Sequence, residues 1–263
     1  MGNKARRWLI GAGIVLAIGA AVVLLSIPPG AATGLSNDNA RAAPALAGKA
    51  AAPPLRVLVI GGTKGIGRAV VDLAAARGHV VTAMARSAPQ QPFESASVAF
   101  IQGDVTDAEA VRKAAADQDT VVLSISTPPT REPVTVYSEA TRNILEARNA
   151  SQPLRVICVT GIGAGDSRGH GGVFYDRVLQ PLMLRTAYED KDRAEEMLSG
   201  SNAFWTIVRP GFLTDDAETG RYLVVTQMDG VRSGSISRRD VAHFIVSVLE
   251  GPAASSQTVL LTY

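Results

Sequence analysis

A single cysteine, Cys158, among 263 residues excludes any intrachain disulfide, and its place inside a predicted strand marks it as a buried, inert thiol. Histidine is as sparse: the three, at positions 79, 170 and 243, are scattered, and no paired-Cys or His-rich spacing is present, so no metal site is expected. Charge of one sign is also lacking. A formal net charge of +2 gives no basic surface for a polyanion, and a nucleic-acid partner is not expected. With 46% hydrophobic residues, the chain has enough length and apolar content for one large α/β core plus an appendage.

In the appendage, charge is missing altogether. Residues 8–27 carry no charged side chain, which gives a helix of about 30 Å, enough to cross a bilayer. The basic flank at residues 1–7, with Lys4, Arg6 and Arg7, predicts a cytoplasmic N-terminus and a periplasmic position for residues 28 onward. The length favours an uncleaved, single-pass membrane anchor over an export signal. Small-x-small sites at Gly30-Ala31-Ala32 and Ala40-Arg41-Ala42 keep export with cleavage open, and Arg6-Arg7-Trp8-Leu9-Ile10 resembles in part the twin-arginine motif of proteins translocated folded. An anchor that leaves the domain in the cytoplasm is the third arrangement. Residues 28–54, dominated by Ala, Pro and Gly without apolar periodicity, read as a flexible linker, so the domain itself is expected over residues 55–263.

The most informative stretch that is present is Leu55-Arg-Val-Leu-Val-Ile-Gly-Gly-Thr-Lys-Gly-Ile-Gly67, a continuous apolar run entering a glycine cluster and then a helix predicted over residues 66–77. Gly61 permits the tight turn, Gly65 lets main chain approach a pyrophosphate, and Gly67 lets the helix pack on the sheet. Gly62, Thr63, Lys64 and Ile66 complete the cofactor loop, and the helix N-terminus supplies unpaired N–H groups. The second strand, 79–85, ends at Arg86-Ser87, where an NAD-selective site would place Asp or Glu. A guanidinium there accommodates a 2′-phosphate, so NADP(H) is expected in preference to NAD(H). A third strand, 98–102, leads into Gly103-Asp104-Val105, where the Asp104 carboxylate is placed to accept from the adenine amino group. Asp107 is expected to cap the helix 108–116.

These residues resemble the short-chain dehydrogenase/reductase superfamily, with Gly61-x-x-x-Gly65-x-Gly67 as its glycine pattern, Asp104-Val105 as its adenine contact and Ser124-Ile125-Ser126 as its loop after strand four. Phe204-Trp-Thr-Ile-Val-Arg-Pro-Gly-Phe-Leu213 and Ile236-Ser-Arg-Arg-Asp-Val-Ala242 are similar to the atypical, NmrA-like and biliverdin-reductase-B-like branch. The resemblance covers about residues 55–263. It implies the fold and the cofactor, and leaves the substrate open.

The chain departs from the superfamily at the motif that carries its usual chemistry, Tyr-x-x-x-Lys. Lys191 is preceded four residues earlier by Ala187, and Tyr188 is followed four residues later by Asp192, so the spacing is missing. Tyr188 and Lys191, three apart, share a helix face and form one candidate pair. Thr160 stands where the superfamily's serine is expected, and Tyr175 is a further candidate donor. Hydride transfer survives such a loss when the acceptor is a flavin, quinone or tetrapyrrole, because the protein then needs chiefly to position the ring.

Strands at 119–125, 154–160 and 204–208 alternate with helices at 134–149 and across 173–199, and the chain ends with a strand near 222–226, a Ser237-capped helix to residue 250 and a strand at 258–262. That order predicts an α/β, Rossmann-type doubly wound parallel sheet in a single domain. The loops 126–133, 161–172 and 210–219 then fall at the carboxyl ends of the strands and are expected to line the cleft, the second as a flexible segment carrying Asp166, Arg168 and His170. Arg209 is read either as a holder of an anionic substrate group or as a shaper of its loop. These residues point to an NADP(H)-binding reductase acting on a small-molecule conjugated or carbonyl acceptor. The alternative is a non-catalytic redox sensor or membrane-complex assembly protein. Oligomeric state is not legible.

Overall fold

The computed structural model describes residues 30–46, 53–147, 155–251 and 256–263. In chain order these form β1 (Ala40–Ala42), β2 (Arg56–Ile60), α1 (Gly65–Ala76), β3 (Val80–Ala85), β4 (Val98–Gln102), α2 (Ala108–Ala115), β5 (Thr120–Leu123), α3 (Val136–Glu146) and β6 (Arg155–Val159). A π-helical stretch, Tyr175–Leu184, then runs into α4 (Arg185–Ser199), followed by β7 (Phe204–Pro210), β8 (Phe212–Thr214), β9 (Leu223–Val225), β10 (Ser235–Ser237), α5 (Arg238–Glu250) and β11 (Gln257–Thr262). The apolar segment at 8–27 and its basic flank lie outside the described residues. Among the described residues no helix is long and apolar enough to cross a membrane.

The central strands read as unbroken apolar runs because helices cover both faces of the sheet. Val57 and Val59 of β2 enter one core with α1 and α5, where Val70, Val71, Phe244 and Ile245 lie. Leu58 and Ile60, pointing the other way, enter a second core with Val111, Ala140, Ile144 and Leu198 of α2, α3 and α4. In β6, Ile157 joins the first core and Cys158 the second, where burial pushes its thiol up to about 12 and keeps it inert.

The nine-stranded sheet has the order β1-β9-β11-β7-β6-β5-β2-β3-β4. Every pairing from β11 through to β4 is parallel, while β9 runs antiparallel to β11 and β1 antiparallel to β9. The doubly wound expectation therefore holds, with strand order reversing between β2 and β5, and ligands bind beyond the carboxyl ends at such a reversal. Asp107 accepts from Glu109 and Ala110 N–H at the start of α2, and Ser237 accepts from Asp240 N–H at the start of α5, as expected of caps.

Two expectations require correction. The linker read at 28–54 holds structure over its described part: β1 pairs with β9, Thr33 bridges Arg232, and Ala32 N–H donates to the Tyr263 carbonyl at 2.9 Å. Ala-Arg-Ala is three residues long with no β-branched or aromatic side chain, and its pairing partner lies far along the chain at 223–225, so no local signal announces it. The 161–172 segment is likewise no flexible lining of the cleft. Ser167 Oγ accepts from Gly163 N–H at 2.9 Å, Gln180 Nε2 donates to the Gly163 carbonyl at 2.7 Å, and Asp192 accepts from Gly165 N–H at 2.7 Å. His170 Nδ1 lies 2.6 Å from the Val231 carbonyl, which ties it to backbone. The short parallel pair β8–β10 has no counterpart among the strands expected from sequence.

Candidate functional site

A cavity of about 860 Å³ lies along the carboxyl ends of β2, β3, β5 and β6. Its centre is built by the glycine turn. Gly61 leaves β2 at φ +85° and donates to the Met84 carbonyl at 2.8 Å, and a side chain on Gly67 would collide with the Gly61 carbonyl oxygen. Gly65, at φ +59°, differs: beyond its chain neighbours and its own helix turn, nothing lies within 4 Å of a Cβ placed there. Helix α1 begins with no capping side chain and no acid in its first turn, in contrast to α2 and α5. Its first N–H groups are left for an anion, the arrangement that binds pyrophosphate.

Of the residues expected to hold cofactor, Gly61, Thr63, Lys64, Gly65, Ile66, Arg86, Ser87, Asp104, Val105, Ser124 and Ser126 line this one cavity. Gly62 and Gly67 do not. They lie beneath the turn, Gly62 against Ala83 and Val71 and Gly67 against Gly61, and shape it through packing. At the β3–β4 end, Thr106 donates to Asp104 Oδ1 from both its N–H (3.0 Å) and its hydroxyl (2.9 Å). Those bonds, with Arg86 nearby, hold the Asp104 carboxyl below its ordinary range.

At the other end the candidate proton-handling groups converge. Lys191 and Thr160 line the cavity, and Lys191 Nζ donates to the Thr160 carbonyl at 2.7 Å. The ammonium lies 4.4 Å from the ring centre of Tyr188 and 5.2 Å from that of Tyr137. Burial pushes its pKa down to about 8, against the opposing pull of Cys158, Glu195 and Asp192. Tyr188 is packed behind Gly161, outside the cavity lining, and burial pushes its phenol up to about 12. Tyr175 also stays off the cavity lining and donates to the Ile162 carbonyl at 2.9 Å.

The Thr160 hydroxyl is engaged elsewhere, donating to Glu195 Oε1 at 2.6 Å. Glu195 in turn receives Arg209 Nε at 3.1 Å and Nη2 at 2.5 Å, and Arg209 Nη1 reaches Asp166. Arg209 is therefore committed to fixing the loop after β6, which decides between its two readings. Thr127 lines the cavity from the loop 126–133, as expected of it, whereas Tyr137, whose ring flanks Lys191, and the cavity-lining residues Gln90 and Arg238 were missed by the sequence reading. Arg238 stands inside the stretch that carried the family resemblance, but no periodicity marks an arginine there as facing a cleft.

The dinucleotide turn, the strand reversal and the uncapped α1 define a dinucleotide-binding α/β fold. A family described as NAD(P)H-binding matches residues 61–252, and the chain belongs to it. Among solved structures it is similar to an anaerobilin reductase from Escherichia coli O157:H7, at 26% identity over 79% of this chain and 96% of that one, TM-score 0.63. It shares its fold with a short-chain dehydrogenase/reductase from Veillonella parvula in complex with NADP, at 17% identity over 80% and 94% of the two chains, TM-score 0.63. An oxidoreductase from Lactococcus lactis has the same fold at 20% identity, over 79% and 90%, TM-score 0.64.

Proposed function

We propose that the chain is an NADPH-preferring reductase that serves a planar conjugated acceptor, with Lys191 in place of the missing tyrosine as the proton donor. The observation that carries this reading is the position of Lys191 Nζ in the cavity wall, fixed by the Thr160 carbonyl and by two aromatic faces. NADPH, when bound, supplies the hydride. The chain's own part is to seat the pyrophosphate on α1, orient the rings and deliver one proton from Nζ to the acceptor, after which solvent reprotonates the amine. The 26% identity to an anaerobilin reductase supports an acceptor of extended conjugation.

An ammonium that titrates near 8 is charged, and able to donate, below that pH and neutral above it. Reduction is thus expected to fall as pH rises through about 8. Lys191→Met should remove this limb and lower kcat by about 100-fold or more, measured as NADPH oxidation against flavin, quinone and tetrapyrrole acceptors. An unchanged profile in the variant would dismiss Lys191 as the donor, and tight NADPH binding without turnover on any acceptor would favour a redox sensor.

Cofactor preference rests on Arg86 at the mouth of β3, which lines the cavity with Ser87 and Lys64 and has no carboxylate at its own position to meet a ribose 2′-hydroxyl. The carboxylate of Asp104 stands nearby for the adenine amino group. Arg86→Asp is expected to shift the ratio of NADPH to NADH affinity towards NADH by about tenfold or more, one charge-assisted contact being lost and a repulsion gained. Equilibrium titration of both nucleotides checks this, and an unaltered ratio rejects the assignment.

A further inference from the structure

Four cations line the cavity, and they divide between its ends. Lys64 and Arg86 belong to the β2–β3 half, where the nucleotide's phosphates are expected, and Lys191 and Arg238 to the half built by β5 to β8 and the start of α5. Lys191 is tied to the Thr160 carbonyl. Arg238 is held differently. Its Nη1 pairs with Asp215 Oδ1 at 2.8 Å, and while the arginine side chain is 31% exposed, that of Asp215 is 89% exposed.

A carboxylate so fully in water gives little net binding energy, because both charges remain hydrated and screened. An anion brought into the cleft by a bound ring is better placed, since the guanidinium presents a planar fork that carboxylate and phosphate match with two parallel bonds. Register puts the two residues together: Ser237 pairs with Thr214 as the last positions of β10 and β8, and Arg238, opening α5, and Asp215, in the loop after β8, follow them directly. The wall at this end offers apolar surface from Ile125, Val136, Pro210 and Leu213, interleaved with Ser126, Thr127 and Thr160. Leu213, although 38% exposed, packs its surface along the cavity.

We propose that Arg238 is the anion-receiving subsite for the acceptor, so that the substrate is a planar conjugated molecule bearing a carboxylate or phosphate, and that Asp215 holds the guanidinium until that group displaces it. This rests on the reductase reading for the identity of the site as an acceptor site. Apolar walls take the ring, Lys191 stands at the reacting end, and Arg238 fixes the far end of the molecule. Arg209, the sequence's own candidate for this task, is unavailable because Glu195 and Asp166 occupy it.

The test uses the full chain saturated with NADP⁺ and compares equilibrium binding of two probe pairs that differ in anionic groups, FMN against riboflavin and biliverdin against its dimethyl ester. The charged member of at least one pair is expected to bind about tenfold more tightly than the neutral one. Arg238→Gln should collapse that ratio towards one, Arg238→Lys should restore part of it, and Asp215→Asn should enlarge it by removing the competing carboxylate. Equal loss of both members in Arg238→Gln, a ratio that survives the substitution, or no binding of any probe overturns the proposal. Because binding needs no turnover, a ratio that collapses in a protein with no reductase activity leaves the subsite standing while the reductase reading falls.

Discussion

Gly65→Val is expected to yield a folded protein whose affinity for NADPH has fallen by at least about 100-fold, a loss of roughly 2.7 kcal/mol. A Cβ at this position has open space around it, with nothing within 4 Å beyond its chain neighbours and the helix's own first turn. Its folding cost is confined to backbone strain: φ is +59°, a conformation that costs a side-chain-bearing residue about 1–2 kcal/mol. Typical domain stability, roughly 5–15 kcal/mol, absorbs that. Binding does not, because valine projects its methyls over the N–H groups of α1 where main chain and pyrophosphate must meet. Gly67→Ala should show the opposite pattern. Its Cβ collides with the Gly61 carbonyl oxygen and lies 2.8 Å from the Gly61 carbon, so helix and turn must separate, at about 1–3 kcal/mol of stability. Urea denaturation without nucleotide, alongside NADPH titration, separates the two effects. If Gly65→Val binds NADPH as the parent does, the cofactor does not cross this turn.

The second large effect is expected from Glu195→Ala, at about 3–5 kcal/mol of stability. Glu195 and Arg209 are each 6% exposed, and the carboxylate also accepts the Thr160 hydroxyl. Removing it leaves a buried guanidinium whose remaining carboxylate partner, Asp166, is an exposed one, and orphans a hydroxyl. For a body of this size the loss corresponds to a fall in Tm of roughly 6–20 °C. Adding Arg209→Met to Glu195→Ala should recover part of it, because the stranded charge goes too. Thermal unfolding of the single and double variants decides the point. A double variant that merely sums the two losses would show that the pair is not energetically coupled.

The sheet and the cofactor loop were legible because their causes are local. Strands buried on both faces show as apolar runs, and the backbone demands of the β2–α1 turn appear as glycines at fixed spacing. The acceptor end was illegible where its causes are distant. Helix α3 has no capping side chain of its own, and Asp190, from α4, accepts from Tyr137 N–H at 2.7 Å and from the Ser138 hydroxyl at 2.5 Å. Nothing near residue 137 predicts that partner. The same bond positions the helix turn whose Tyr137 ring flanks Lys191, so a carboxylate of α4 sets, through α3, the surroundings of the cavity-lining lysine. Glycine content misled at 161–172 for the complementary reason: positive-φ glycines at 163, 165 and 169 suggest mobility, yet side chains from 180 and 192 pin the first two.

Strand β1 has a consequence for how the chain keeps to itself. Without residues 40–42, β9 would end the sheet with unpaired backbone groups beside the buried Val224 and Val225, a template on which a second molecule would add its own strand. The segment that enters the domain from the N-terminal side thus works as a selvedge, moving the open border from a strand with two buried valines to a short, largely exposed one that carries Arg41. A fragment cut at the apparent boundary near Pro53 loses that border, so the shortest well-behaved domain begins upstream of the glycine turn by some thirty residues, near Gly30.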